Sequence, residues 1–481
     1  MDESPRLSIK SFAERISPGE FAFTLTMSHR ESFLRTAQRI YHRLPVSDRL
    51  KWRLRAIALP ILLSVRHGDK PIVEAIREVL ERAPLRDNAR ELRQQALILD
   101  LAARGVRSVS HIIAVPFLGT GGAENVALGF AKAIREIKPD CHVLIVVADR
   151  AMVDARVQQF PGVHVAVLQK YTVNDSYALK QQLLEDLIVA LRPAVFHNIN
   201  SEVGWSAIIN SGAKLGHYTR LFASIFAFQF APDGVKKIGY AAYFLQPGLP
   251  ALTALLSDNK RFVIDAIDEY GLAEAGQKLK AVYNPSRIAT VGWKDRALAR
   301  LARTESGQAA RRPSFLWAGR LDKEKRVDLF LEIVARMPQA DFYVYGQTVV
   351  DSGEAIPRLP NLHLKGPFAS PEELVAERLY DAFIFTSKWE GLPNILVEMG
   401  TLGIPIVAAT VGGVGELIMK QTGYPLPEKA TIDDYLTAMN DVIAHPSDAR
   451  ERARALVELI DQRHTWEAFI DSVKGIRDYD V

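Results

Sequence analysis

The sequence predicts an α/β chain: two doubly wound, Rossmann-like domains behind a helical N-terminal extension. Three observations carry this. No strand-length β-branched run occurs in residues 1–108, apolar strand-like runs alternate with helical segments from His111 onward, and the alternation breaks once, at Asn284-Pro285, before resuming at Ser314. Such alternation implies parallel strands joined by crossover helices. It assigns residues 1–108 to the extension, 109–284 to a first domain, 285–456 to a second and 457–481 to a terminal helical segment.

A chain of 481 residues, 48% hydrophobic and 24% charged, has ample material for two such cores. Cys141 is the single cysteine, which excludes an intrachain disulfide, and no Cys/His cluster has zinc spacing. Both facts fit a reducing compartment. The opening Met1-Asp-Glu-Ser-Pro-Arg-Leu7 lacks the basic and then apolar pattern of a signal peptide, so a cytoplasmic location is expected. No apolar run approaches the roughly 20 residues that span a bilayer. A net charge of +4 is too small to argue for nucleic acid, and none is expected as a partner.

In the extension, Ser28-His-Arg-Glu31 forms a capping box ahead of Phe33, Leu34, Ala37, Ile40, Tyr41 and Leu44 at helical spacing. A second helix runs from Asp48 toward Pro60 and sets Arg49, Lys51, Arg53 and Arg55 beside Leu50, Trp52, Leu54 and Ile57. Two uses suit it: peripheral contact with an anionic membrane through residues 28–66, on the inner face of the cytoplasmic membrane, or packing of its apolar side on the next domain with the charges solvated. Further helices are expected over residues 71–82 and 86–104.

The first domain reads as strand 111–116, a glycine-rich loop 117–122, helix 123–137, strands 142–148 and 163–168, helix 179–191 and strand 194–196. Between residues 229 and 280 only two helices are predicted, over 249–256 and 272–279. The second domain reads as strand 314–318, helix 327–336, strands 341–345, 362–364 and 382–385, a helix opened by Pro393, and strand 405–408. A terminal helix runs through Trp466 and Phe469, and the tail Asp478-Tyr-Asp480 is expected to fray.

Three loops carry candidate chemistry. Glu390-Gly-Leu-Pro-Asn394 turns from strand to helix, and seven residues separate Glu390 from Glu398. The open N–H groups of such a turn suit phosphate or sugar oxygens, while Glu398, one helical turn beyond Asn394, can accept hydrogen bonds from a vicinal diol such as a ribose. Gly319-Arg320-Leu-Asp-Lys-Glu-Lys325 follows a strand, where Arg320 and Lys325 could neutralise a diphosphate, although the run also reads as a solvated helix start. Gly119-Thr-Gly121-Gly122-Ala-Glu124 sits where a dinucleotide fold cradles pyrophosphate, but Glu124 replaces the last glycine of that fingerprint. With Asp149 as the acid after the next strand, a nicotinamide site stays open as an alternative, as do glycines that serve only the turn.

Taken together, Gly121-Gly-Ala-Glu-Asn125, Tyr283-Asn-Pro285, Gly319-Arg320-x4-Lys325, Glu390-Gly-Leu-Pro-Asn-x3-Glu398, Gly403-Ile-Pro-Ile-Val407 and Gly412-Gly-Val-Gly-Glu416 resemble the retaining glycosyltransferases of family 4. The resemblance covers about residues 110–475 and is most specific in the second domain. It implies the GT-B fold, two Rossmann-like domains facing a cleft, with the terminal helix crossing back to the first domain. It further implies a nucleotide-diphosphate sugar donor held by the second domain and a glycan or lipid-linked glycan acceptor on the first, in bacterial surface polysaccharide assembly.

By that resemblance Arg320, Lys325 and Glu390 act in transfer. Gly121, Gly122, Arg320, Lys325, Gly391, Leu392, Pro393, Asn394 and Glu398 bind the donor, with Glu398 on the ribose and the two cations on the diphosphate. No metal and no cofactor are implied beyond the nucleotide sugar as co-substrate. The family's first-domain histidine is missing, since Phe226 or Ala227 stands in its place; His197 and Gln229 are the candidates for the acceptor side. That departure leaves a second possibility, a catalytically degenerate nucleotide- or glycan-binding subunit of an assembly complex.

Overall fold

Apolar runs too short for helices and bounded by turn residues become strands buried on both faces, which is how parallel sheets read in sequence. The computed structural model describes residues 88–480 apart from 107, 120, 154–159, 173–175, 232–233, 308–310 and 347–356. The helices expected over residues 28–82, and the membrane surface placed on them, lie outside the described residues. After helix α1 (Asn88–Ala103) come β1 (His111–Val115), α2 (Gly122–Ile137), β2 (Val143–Val147), β3 (Val163–Val167), α3 (Tyr177–Leu191), β4 (Val195–Ile199), α4 (Glu202–Leu215) and β5 (Arg220–Ser224). A two-residue antiparallel pair, β6 (Gln229–Phe230) and β7 (Lys237–Ile238), leads into α5 (Gly239–Gly248), β8 (Ala254–Ser257), α6 (Lys260–Tyr270) and β9 (Leu279–Ala281).

The second half holds α7 (Trp293–Gly307), β10 (Ser314–Ala318), α8 (Val327–Arg336), β11 (Asp341–Tyr345), β12 (Leu362–Gly366), β13 (Ala382–Phe385), α9 (Asn394–Thr401), β14 (Ile406–Ala409) and β15 (Tyr424–Leu426). Helices α10 (Ile432–Ala444), α11 (Pro446–Arg463) and α12 (Trp466–Lys474) close the chain. Two all-parallel sheets result, ordered β3-β2-β1-β4-β5-β8-β9 and β12-β11-β10-β13-β14-β15. These are the two Rossmann-like α/β domains that the alternation predicts.

Side-chain alternation splits the first core between the sheet's faces. Ile112, Ala114, Leu144 and Val146 pack with Leu184 and Ile208, whereas Ile113, Val115, Ile145 and Val147 meet Ala127, Phe130 and Ile134. The second face also receives the end of the chain. Phe469 of α12 sits edge-on to Phe130 at 5.3 Å, and Trp466 Nε1 donates to Glu136 Oε2 at 2.7 Å. The crossing is pinned at His464, which meets the Asn284 carbonyl through Nδ1 at 2.7 Å and accepts from the Ser286 amide at 2.8 Å.

Three expectations need correction. The tail does not fray: Tyr479 is 0% exposed, its hydroxyl 2.7 Å from His197 Nδ1 and its carbonyl 2.7 Å from His111 Nε2. Residues 249–256 are not a helix; Leu249–Ala251 make one 3-10 turn, and Ala254–Ser257 pair with β5 and β9 as a buried strand. Residues 272–279 likewise give a 3-10 turn, Ala275–Lys278, followed by β9. The true helix between them, α6, starts where Asn259 accepts from the Phe262 amide and stops at left-handed Gly271.

Candidate active site

In each sheet the strand order reverses direction once, between β1 and β4 in the first and between β10 and β13 in the second. Ligands of open α/β sheets bind outside the carboxyl ends of the strands at such switch points. The loops that leave β10 and β13 are those carrying Arg320, Lys325 and Glu390. Asp322 caps a short 3-10 turn, Lys323–Lys325, by accepting from the Lys325 amide at 3.3 Å. Thr386, at the end of β13, donates to the Lys325 carbonyl at 2.6 Å and accepts from Trp317 Nε1 at 3.1 Å. This fixes the Lys325 backbone against β13, and its ammonium forms an ion pair with Glu390. Arg320 is 54% exposed and held by rim contacts, 3.3 Å to Asp322 and 3.2 Å to Glu324.

The Glu390 loop is built by glycines. Gly412 has φ +52°, and a side chain there would strike the Glu390 carbonyl; the Gly413 amide donates to the Gly391 carbonyl at 3.0 Å. Pro393 has φ −66° and ψ 121° and so precedes α9 as its N-cap rather than occupying its first turn. Leu392 is buried, and its amide donates to Asp258 of the first domain at 3.2 Å. A cavity of about 290 Å³ lies between the domains. Arg320, Lys325, Glu390 and Gly391 line one side, with Phe226 and Gln229 on the other. Gly122, at the start of α2, comes close to Asn394 of the second domain, its ideal Cβ position 3.8 Å from Asn394 Nδ2.

Glu398 stands apart from this lining. It is 2% exposed on α9, and its Oε1 accepts from Arg287 Nε at 2.7 Å and lies 2.6 Å from a second guanidinium nitrogen. Burial raises its carboxyl above the ordinary range, and Arg287 only partly offsets that. Gly121 caps α2, but the buried Glu124 side chain folds back against it, so the loop is covered by a carboxylate where a pyrophosphate would need open amides.

His197 does not reach the cleft. It is 0% exposed, Nδ1 meets Tyr479 and Nε2 lies 2.8 Å from Ser224 Oγ; burial and neighbouring His111 push it down to about 3. A neutral imidazole bonded through both nitrogens belongs to the core, and the expectation of an acceptor-side role is corrected. The nicotinamide alternative loses its acid. Asp149 caps α4, accepting from Ser201 Oγ at 2.8 Å and from the amides of Glu202 and Val203 at 3.0 and 3.2 Å. Sequence reasoning missed Asp258 and Arg287. The first follows a strand taken for helix, and the second pairs with a glutamate 111 residues away.

Residues 312–462 match the family described as glycosyl transferases group 1. Glycogen synthase of Mycobacterium tuberculosis is 26% identical over 177 residues, 33% of this chain and 42% of that protein. The O-antigen biosynthesis glycosyltransferase WbnH of Escherichia coli is 30% identical over 145 residues, 29% of this chain and 40% of that protein. The chain thus spans about two fifths of the length of these curated relatives. In fold it is similar to Anabaena Alr3699/HepE, solved in complex with UDP-glucose, at 15% identity and a TM-score of 0.56, over 76% of this chain and 98% of that one. The two facing Rossmann-like domains are therefore a GT-B fold, and residues 312–462 within it match the group 1 glycosyl transferase domain.

Proposed function

We propose that the chain is a retaining, metal-independent glycosyltransferase. It moves a sugar from a nucleotide-diphosphate donor to a glycan or lipid-linked glycan acceptor in bacterial surface polysaccharide assembly. One observation carries this above the others: Arg320, Lys325 and Glu390 leave the two strands of the second sheet's switch point and line a single cavity opposite the first domain. Transfer leaves a nucleoside diphosphate with new negative charge while the anomeric carbon becomes oxocarbenium-like. Fixed cations at the leaving group lower that barrier electrostatically. Lys325, fixed through its backbone, is the better preorganised of the two; Arg320, on the rim, closes on the diphosphate as a planar fork. Glu390 faces the transferred sugar, and Arg287 orients Glu398 toward the ribose. Curated relatives named for glycogen and O-antigen synthesis favour a polysaccharide context.

Arg320→Ala and Lys325→Ala are each expected to lower transfer by about 10²-fold or more with the fold intact. Full activity of both variants on a working donor would refute the assignment. Phe226 and Ala227, the two candidates for the family's histidine position, both stand on the cavity wall and favour the second reading, a degenerate binding subunit; donor turnover or slow donor hydrolysis by the wild type excludes it. For the membrane surface, removal of residues 1–70 is expected to abolish binding to anionic liposomes and to spare donor binding.

A further inference from the structure

Asp258 brings a first-domain carboxylate against the loop that carries Glu390. It directly follows β8 and is 7% exposed; Oδ1 accepts from the Leu392 amide at 3.2 Å and from Asn259 Nδ2 at 2.7 Å. Its corner of the first domain is rigid: Asn259 also donates to the Phe226 carbonyl at 2.9 Å and caps α6 through the Phe262 amide at 2.7 Å. On the facing side Gly391 has no side chain, and a Cβ there would stand 2.7 Å from Asp258 Oδ1 and 2.9 Å from Phe226 Cβ. The first domain therefore reaches the Glu390 loop beside the cavity through an ionisable side chain.

That choice is electrostatically costly. Glu390, itself paired with Lys325, and Glu416, which receives Tyr283 Oη and the Arg261 amide, both face Asp258 from the second domain. The nearby cation on its own side, Arg261, is engaged with Asp265 and Glu428. Burial first, and then these two acids, push the Asp258 carboxyl up to about 7. A neutral side chain of similar size would carry no such penalty. A buried carboxyl so perturbed, set beside a cleft, is a candidate functional group.

We propose that Asp258 is the positioning residue through which the first domain holds the Glu390 loop in register for the transferred sugar. By fixing the Leu392 amide it sets the orientation of the Gly391 backbone and the direction of Glu390. The nucleotide is gripped elsewhere, by Arg320, Lys325 and Glu398, so the effect falls on the sugar half of the donor. This inference rests on the nucleotide-sugar function proposed above.

The test compares UDP-glucose with UDP by calorimetric titration, and GDP-mannose with GDP if the first pair does not bind. Asp258→Ala is expected to weaken the nucleotide sugar about tenfold, the effect of one lost buried hydrogen bond, and to leave the diphosphate within about twofold. The wild-type affinity for the nucleotide sugar, whose diphosphate has no proton titrating in this range, should rise between about pH 6 and about pH 8 as the carboxylate becomes a stronger acceptor; Asp258→Asn should remove that dependence. Equal weakening of both ligands, or no weakening, overturns the proposal. If the alanine variant fails to fold, a wild-type pH dependence in Asp258→Asn overturns it equally. A wild type that binds none of the four ligands overturns the nucleotide-sugar function and this inference with it.

Discussion

Arg287→Met removes the guanidinium from Glu398 while keeping an apolar stem of similar reach. Truncating one partner of a buried ion pair costs about 3–5 kcal/mol, because the other charge stays buried and unpaired. Glu398 is 2% exposed but Arg287 is 40% exposed, so water screens half the pair, and a loss of about 2–3 kcal/mol at pH 8 is expected. The carboxyl can escape part of this by binding a proton. A carboxyl whose folded pKa is raised contributes stability that is present below its unfolded value, about 4.3, and lost as pH rises through the folded value. Burial already raises Glu398, and loss of Arg287 raises it further. The variant's deficit therefore grows with pH above the wild-type value. Urea unfolding at about pH 5.5 and about pH 8 should show a small deficit at the first and the larger one at the second. Adding Glu398→Gln should remove most of the deficit at pH 8. An equal deficit at both pH values, or a double variant as unstable as the single one, would refute the argument.

Other outcomes follow from the same contacts. Tyr479→Phe keeps the ring and loses the His197 contact, for about 1 kcal/mol, whereas Tyr479→Ala empties a fully buried aromatic site, for about 3–5 kcal/mol, both read by denaturant unfolding. His197→Gln should be less stable than wild type near neutrality, but the gap should narrow as pH falls from about 6.5. The reason is that a histidine with a depressed folded pKa gives stability present above the unfolded value and lost on acidification; parallel pH profiles would contradict its burial as a neutral ring. Gly412→Ala forces a side chain at φ +52° into the Glu390 carbonyl and should cost at least tenfold in nucleotide-sugar affinity. Gly415→Ala, whose Cβ would meet only Thr410 at 3.6 Å, serves as the matched control and should bind normally.

The second domain was legible because its loops announce themselves. Gly319 and Gly391 sit between buried apolar strands and helix starts, and Arg320, Lys325 and Glu390 from those loops end on one cavity. The stretch 249–281 was not legible. Ala254-Leu-Leu-Ser is a four-residue strand without β-branched residues, so only its neighbours β5 and β9 make it a strand. Helix α6 was missed although its Asn259 cap and Gly271 stop stand in the sequence. Tertiary pairings were out of reach altogether. His197 with Tyr479, Glu398 with Arg287 and Asp258 with Leu392 join residues 282, 111 and 134 positions apart, and no local pattern records them. Arg320, Lys325 and Glu390 needed only the topology of one sheet, whereas Glu398 and His197 needed partners from distant segments.

The central claim is that a nucleotide sugar occupies the cleft beside Lys325 and Glu390. A thermal-shift screen of nucleotide sugars on the wild type and on Lys325→Ala tests it most directly. At about one hundred times its dissociation constant, the true donor should stabilise the wild type by about 2.7 kcal/mol, and the variant should lose most of that shift. A screen in which no nucleotide sugar shifts the wild type, or in which Lys325→Ala responds in full, would contradict it.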